Sequence, residues 1–319
     1  MIRAGLKFLS KCGPQARLSI LIWHRVLPAL DPMFPGELHA ARFDTTLAWI
    51  RHWFNVLPLS EAVQRMLDGR LPERAAAISF DDGYADNLTV AAPLLAKHGL
   101  PATVFIAAGY LDGGRMWNDG LIEAVRRSPL AAIDVGEYGR YTLEDWPART
   151  RAALALIDKI KYLEPIQRER AVFDIACVAK VELPNDLMLS SAQVRELHRS
   201  QGVTLGAHTI THPILARISD SSAHAEIAGG RQALQSLIDA PVDLFAYPNG
   251  KPGQDYTRKH VDLVRELGFT AAVSTAWGAS RSGDDYFQLR RFTPWDNDRL
   301  RFGLRMMRNL TASAQQSLV

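Results

Sequence analysis

The sequence predicts a parallel β/α barrel, and three observations carry that expectation. Short apolar runs recur along the 319 residues, each ending in polar or glycine-containing turns: Ser19 to Trp23, Ala76 to Phe80, Ala102 to Ala107, Val203 to Ala207, Leu244 to Tyr247 and Ala271 to Ser274. Helical patterns alternate with them, at Ala41 to Phe54, Ser60 to Asp68, Asp86 to His98 and Ser222 to Ala240, the last with Ile227, Leu234 and Leu237 on one face. The chemically loaded residues directly follow these runs: Asp81 and Asp82, His208 and His212, and Pro248-Asn249-Gly250. Barrels of this kind gather their chemistry at the carboxyl ends of their strands, so all three motifs are expected on one rim.

Ahead of the first strand, residues 1–17 form a basic segment in which Ile2, Leu6 and Leu9 can share one helical face. Gly13 and Pro14 interrupt it before an apolar run long enough for a signal peptide develops. Such a helix serves equally as a cap on the domain or as an element lying on a membrane surface. Residues 18–298 make the barrel. From about 118 to 185 the strand rhythm stops, and two charged helical patterns (Thr150 to Tyr162, Pro165 to Lys180) read as a helical insertion beside the barrel mouth. Residues 299–319 form a basic helix and tail, with Leu300, Leu304 and Met307 on one stripe and Arg301, Arg305 and Arg308 on the next. That pattern suits an anionic lipid or pyrophosphate, and it suits equally a helix closing the barrel with its arginine stems along the surface.

A hydrophobic content of 47% is ample for a packed core. Lys+Arg 37 against Asp+Glu 34 leaves a net charge of +3, far from the concentrated basic surface of a nucleic-acid binder. Two cysteines, Cys12 and Cys177, give no disulfide framework, which fits a reducing compartment. The expected location is the cytoplasm, with peripheral contact at the inner face of the membrane left open by the basic ends.

The run Ala77-Ile-Ser-Phe-Asp-Asp-Gly-Tyr84 offers two adjacent carboxylates at a strand end, and His208-Thr-Ile-Thr-His212 offers two imidazoles. One carboxylate with two imidazoles suits a divalent cation with a position left open, and the second carboxylate is then free to take a proton. Either motif alone is weak, because Asp-Gly is an ordinary turn and a His-x-x-x-His spacing is one face of a helical turn. Their combination and order carry the reading.

These residues resemble the polysaccharide deacetylase family, the NodB-homology domain of carbohydrate esterase family four. Ser79-Phe-Asp-Asp-Gly83 is similar to its first motif, His208-Thr-Ile-Thr-His212 to its second and Phe245-Ala-Tyr-Pro-Asn-Gly250 to its third, in the family's order. Ile22-Trp-His-Arg-Val26 also resembles the opening of a bacterial branch associated with exopolysaccharide loci. The resemblance covers about 19–294 and implies a distorted (β/α) barrel of the NodB type, interrupted by the insertion. It implies Asp81 as general base, and Asp82, His208 and His212 as ligands of one divalent metal ion. Zn2+ suits that set, and Co2+, Ni2+ and Fe2+ are chemically compatible. The implied activity is removal of an N-acetyl group from an amino sugar of a bacterial polysaccharide or its lipid-linked precursor. A formamido sugar, an O-acetyl ester or a cyclic amide would use the same chemistry, and a non-catalytic carbohydrate-binding relative is the competing class.

The resemblance also implies substrate and oxyanion contacts at Asn249 and Tyr247 of the third motif, and Trp117 in Arg115-Met-Trp-Asn-Asp119 could stack on a sugar ring or anchor the insertion. Two departures stand out. The family's third motif usually begins with an Arg that orients the base, and here that position is Ala246, so Arg25, Arg290 or Arg291 must substitute. The family's usual C-terminal His, its general acid, has no counterpart: His224 and His260 sit in other contexts. His24, ending the first strand on the same rim, is the expected proton donor.

Overall fold

The computed structural model describes residues 1–312 and Val319; the tail anticipated at the C-terminus otherwise lies outside the described residues. Seven parallel strands form a closed barrel: β1 (Arg17–Trp23), β2 (Ala75–Phe80), β3 (Ala102–Ile106), β4 (Val203–Ala207), β5 (Leu244–Ala246), β6 (Ala271–Trp277) and β7 (Leu289–Phe292). Each pairs with the next in chain order, and β7 returns to β1 through the register Ile20↔Arg291 and Leu21↔Phe292. Closure leaves no open edge in this ring of strands.

Helices connect the strands. A first helix, α1 (Ile2–Leu9), precedes β1, while α2 (Ala40–Trp53) and α3 (Leu59–Leu67) lie between β1 and β2, and α4 (Ala92–His98) lies between β2 and β3. Between β3 and β4 come α5 (Trp117–Arg127), α6 (Trp146–Ile160), α7 (Pro165–Val178) and α8 (Ser191–Arg199). Then α9 (Asp220–Ile238) precedes β5, α10 (Arg258–Glu266) precedes β6 and α11 (Arg299–Thr311) follows β7.

Alternation along the strands divides the core in two. Leu18, Ile20, Ala75, Ala77, Phe105, Leu244, Ala246, Val273 and Leu289 belong to one cluster inside the barrel, joined by Leu59, Ala62, Val63 and Met66 of α3 at the strands' amino ends. The intervening residues, Leu21, Ile78, Phe80, Val104, Ile106, Leu205, Phe245 and Phe292, pack outward under the helices. Carried one step further, the inward parity of β1, β2, β4 and β7 assigns His24, Asp81, His208 and Arg291 to the barrel mouth.

The segment read as a helical insertion holds α5, α6 and α7 around a separate core that includes Leu121, Val125, Leu156, Ile160, Val172 and Ile175. It also holds a two-stranded antiparallel hairpin, Ala132–Asp134 with Arg140–Thr142, which the all-helical expectation misses because three-residue strands are too short to show alternation. Inside the expected Asp86 to His98 helix, residues Asn87–Ala91 form a π-helical turn before α4 begins. The seventh strand was not anticipated either: Leu289-Arg-Arg-Phe292 carries two buried arginines where an apolar pair would be expected.

Gly206 in β4 sits directly against the Phe105 ring, with the Leu244 carbonyl 3.1 Å from where a Cβ would stand. We expect Gly206→Ala to overpack this position and lower the unfolding free energy by roughly 1–3 kcal/mol, read from urea denaturation midpoints.

Candidate metal centre and its supporting residues

The loop after β2 begins with Asp81, which follows the inward parity of the strand, and then turns sharply. Asp82 adopts a left-handed conformation at φ 76 and Gly83 follows at φ 86, so the strand's alternation ends here and both adjacent carboxylates come within 4.0 Å of His208 Nε2. A Cβ on Gly83 would stand 3.0 Å from Ile106, which adds crowding to the positive φ as a reason for glycine.

The second motif is a loop, not the helical turn its spacing allows. Thr209 and His212 both take left-handed backbone conformations, at φ 67 and φ 54. Glu226 of α9 holds the loop, its Oε2 accepting from the Ile210 and Thr211 amides at 2.8 Å each and its Oε1 from the Thr211 hydroxyl at 2.6 Å. Gly230 lets the helix come this close, since a Cβ there would lie 2.6 Å from the Thr209 backbone. Glu226 lies outside every motif, and its position on a helix sixteen residues from Ile210 gave no signal in the sequence.

The result is convergence. His208 Nε2 lies 3.4 Å and His212 Nε2 3.5 Å from the same oxygen, Asp82 Oδ1, and the three ligand atoms lie within 4.8 Å of one another. His208 Nδ1 is 2.7 Å from the Ala246 carbonyl, which can only accept, so Nδ1 carries the proton and Nε2 presents a lone pair. Asp82 Oδ1 is buried and makes no hydrogen bond. An orphaned carboxylate oxygen facing imidazole nitrogens, one of them fixed as an acceptor, is a donor set that fits a divalent cation.

Burial by itself would push the Asp82 carboxyl up, but the surrounding imidazoles of His208, His24 and His212 bring it well below its ordinary value. The reverse balance raises His208, where burial opposes and Asp82 and Asp81 prevail. His212, for which burial dominates, is pushed down to about 4.

Asp81 stands beside this cluster, its Oδ2 4.0 Å from His208 Nε2. Of the three arginines that could replace the absent third-motif arginine, the structure selects Arg291. Its Nη1 and Nη2 donate to Asp81 Oδ1 and Oδ2 at 2.6 and 2.7 Å, and its Nε donates to the Ser274 carbonyl at 2.8 Å. Burial would raise the Asp81 carboxyl, yet Arg291 and His208 hold it below its ordinary value. Arg25 instead binds Asp86 at 2.8 Å, and Arg290 binds Asp284 at 3.0 Å.

His24 follows β1 with an exposed side chain, close enough for its imidazole to act on the charge of Asp81, Asp82 and His212. Asn87 fixes its backbone by donating to the His24 carbonyl at 2.9 Å. In the third motif, Pro248 has no N–H and the Gly250 amide is spent on the Pro248 carbonyl at 2.6 Å. Asn249, exposed and at φ 58, is the turn residue whose amide has no partner among the described residues.

One of the expected substrate contacts lies elsewhere. Tyr247 has outward parity: it is fully buried, stacks on Tyr256 at 3.9 Å and donates its hydroxyl to the Phe287 carbonyl at 3.0 Å, so its ring is closed to any ligand. Trp117 is half-buried against the insertion's core, with the Arg168 guanidinium 4.9 Å over its ring.

A further pair ties the insertion to the site. Tyr84, three residues after Asp81, donates its hydroxyl to Asp119 of α5 at 2.9 Å, and the Arg25 guanidinium lies 4.5 Å over the Tyr84 ring. Burial pushes the Asp119 carboxyl up to about 6 despite Arg25 and the Tyr84 hydrogen bond. Sequence reasoning missed this contact, which links residues in two different elements.

The comparisons with known proteins agree with this architecture. The family model for polysaccharide deacetylase matches residues 68–272. The chain is 31% identical over 283 residues to the Bacillus subtilis (strain 168) protein YxkH, which is named as a polysaccharide deacetylase, covering 88% of this chain and 72% of that one. The chain therefore belongs to the polysaccharide deacetylase family, a family of hydrolases. Among solved structures, the fold is similar to IcaB from Ammonifex degensii, with a TM-score of 0.58 at 20% identity over 95% of this chain and 99% of that one. It is likewise similar to the Streptococcus pyogenes deacetylase PplD, with a TM-score of 0.58 at 16% identity over 87% of this chain and 92% of that one.

Arg291→Lys should be far from conservative, because an ammonium cannot reproduce the two-pronged grip on Asp81. We expect it to lower stability, and Arg291→Ala to cost about 3–5 kcal/mol by leaving a buried carboxylate unpaired. Urea denaturation of both variants checks this, and wild-type stability in Arg291→Ala would show that Asp81 is not charged.

Proposed function

We propose that this protein is a metal-dependent N-deacetylase acting on an amino sugar of a bacterial polysaccharide or of its lipid-linked precursor. The observation that carries the reading is the convergence of Asp82 Oδ1 with His208 and His212 Nε2, beside a second carboxylate whose direction Arg291 fixes. Asp82, His208 and His212 would hold one divalent ion, Zn2+ suiting two imidazoles and a carboxylate best, with Co2+, Ni2+ or Fe2+ compatible. Such an ion supplies Lewis-acid polarisation and a lowered water pKa when bound.

The remaining roles belong to the chain. Asp81, ionised and clamped by Arg291, accepts the proton of the water that attacks the acetyl carbonyl. The free Asn249 amide is available to the oxygen on which negative charge develops. As the C–N bond breaks, the departing nitrogen takes a proton, and His24 is the exposed histidine placed at the rim to deliver it. The products are acetate and the free amine.

Two outcomes test the reading. Asp81→Asn should lower turnover on an N-acetylated glucosamine oligomer by ~10²- to 10⁴-fold while zinc or cobalt affinity, measured by calorimetry, stays close to wild type. Near-normal turnover would remove Asp81 from the role of base. His24→Ala should slow amide hydrolysis much more than hydrolysis of an activated acetate ester, whose leaving group needs little protonation. Equal losses on both substrates would assign His24 to support of the site rather than to proton delivery.

A further inference from the structure

The chain's charge is unevenly divided. Residues 1–17 and 299–319 hold Arg3, Lys7, Lys11, Arg17, Arg299, Arg301, Arg305 and Arg308 and no acidic residue. The remaining residues carry 29 basic and 34 acidic side chains, a net charge of −5 beneath a total of +3. The fold brings the two basic ends together, because α1 packs on α11. A Cβ on Gly303 would stand 2.8 Å from Ile2, and one on Gly5 would stand 2.5 Å from Met307 Sδ. Those two contacts set the helices parallel, Ile2 opposite Gly303 and Gly5 opposite Met307.

Helical spacing from these contacts turns Met1 at the N-cap of α1, Phe8 of α1 and Leu300 and Leu304 of α11 toward the same side. All four are exposed, Phe8 at 76%, Leu300 at 57% and Leu304 at 51%, and Trp295 beside them is exposed at 54%. Arg301, Leu304 and Arg308 line an open groove of about 540 Å³ with Trp277 and Trp295. Arg3, Lys11, Arg301 and Arg308 make no ion pair among the described residues, whereas Arg305 is committed to Asp296 at 2.7 Å.

We propose that this α1–α11 face docks the protein on an anionic membrane surface. Exposed aromatic and aliphatic side chains flanked by unpaired cations match the interface of a bilayer, where the apolar groups enter the headgroup boundary and the cations meet lipid phosphates. A second copy of the chain fits poorly, because two such faces would oppose like charges. A nucleic acid would leave Phe8, Leu300 and Leu304 without a partner. Among the described residues no helix is long and apolar enough to cross a membrane, so the contact is peripheral.

Co-sedimentation of the full chain with vesicles tests the proposal. We expect binding to vesicles of equimolar phosphatidylglycerol and phosphatidylcholine, little binding to phosphatidylcholine alone, and weakening with added salt. Arg301→Glu/Arg308→Glu should reduce partitioning by at least about tenfold, whereas the charge-matched Arg140→Glu/Arg151→Glu on the insertion should not. Phe8→Ser/Leu304→Ser should weaken the binding that survives high salt. Equal binding to neutral and anionic vesicles, equal loss in the two charge-reversal variants, or a dimer in light scattering that Leu304→Ser dissolves would each overturn it. Acetyl release from a soluble oligosaccharide is measured in parallel, so that loss of docking and loss of the proposed activity are told apart.

Discussion

Everything at the barrel mouth is arranged around one buried ion pair, Arg291 on Asp81. Taking both groups out of water is costly, and in general such a pair does not stabilise a fold more than apolar residues of the same volume would. Its worth here lies in direction. The guanidinium donates twice to the carboxylate and once to the Ser274 carbonyl, so neither side chain can rotate without breaking charge-assisted bonds. The pair also crosses the barrel interior. Asp81 follows β2 and Arg291 lies in β7, with β1 between them in the sheet, so the contact exists only because the barrel is closed.

Around that pair the backbone carries concentrated strain. Of the non-glycine residues with left-handed φ, Asp82, Thr209, His212 and Asn249 all fall in the three rim motifs. Such conformations persist only where neighbours over-determine them. Ala107 donates to the Asp82 carbonyl, Glu226 pins the histidine loop, and Thr275 donates through its hydroxyl to Asn249 and through its amide to Gly250. Each motif is thus bent into place by a residue of the next element, and the convergence of Asp82, His208 and His212 is a property of the assembled rim.

The insertion has a core of its own, and polar contacts tie it to the active rim: Tyr84 to Asp119 under the Arg25 guanidinium, Arg126 to Asp31, and the Thr150 hydroxyl to the Met33 carbonyl. Arg25 in turn binds Asp86, whose other oxygen accepts from the Val26 amide. The residues just after β1 and the loop after β2 are therefore locked to each other and to α5, which places the His24 backbone and the Asp81–Tyr84 turn in one rigid unit. A carboxyl raised to about 6 at the centre of this unit reflects how little water reaches it.

The sequence by itself determined the barrel class, six of its seven strands and the cluster of Asp81, Asp82, His208 and His212, because these are written in local pattern: apolar runs of strand length with polar residues at their ends. His24 at the end of β1 was legible in the same way, whereas the unbroken apolar run Leu244 to Tyr247 shows no alternation, and the position of Tyr247 under the helices was left to the tertiary structure. The seventh strand was not legible, since Arg290 and Arg291 break its apolar run. Those charges are tolerated there only because Asp284 turns back from just ahead of the strand and Asp81 arrives from a distant part of the chain. For the same reason the choice among Arg25, Arg290 and Arg291, the grip of Glu226 and the Tyr84–Asp119 contact were left to the tertiary structure. Local periodicity records which side of an element is buried, whereas the partner of a buried charge is fixed by closure of the barrel, which no local stretch of sequence contains.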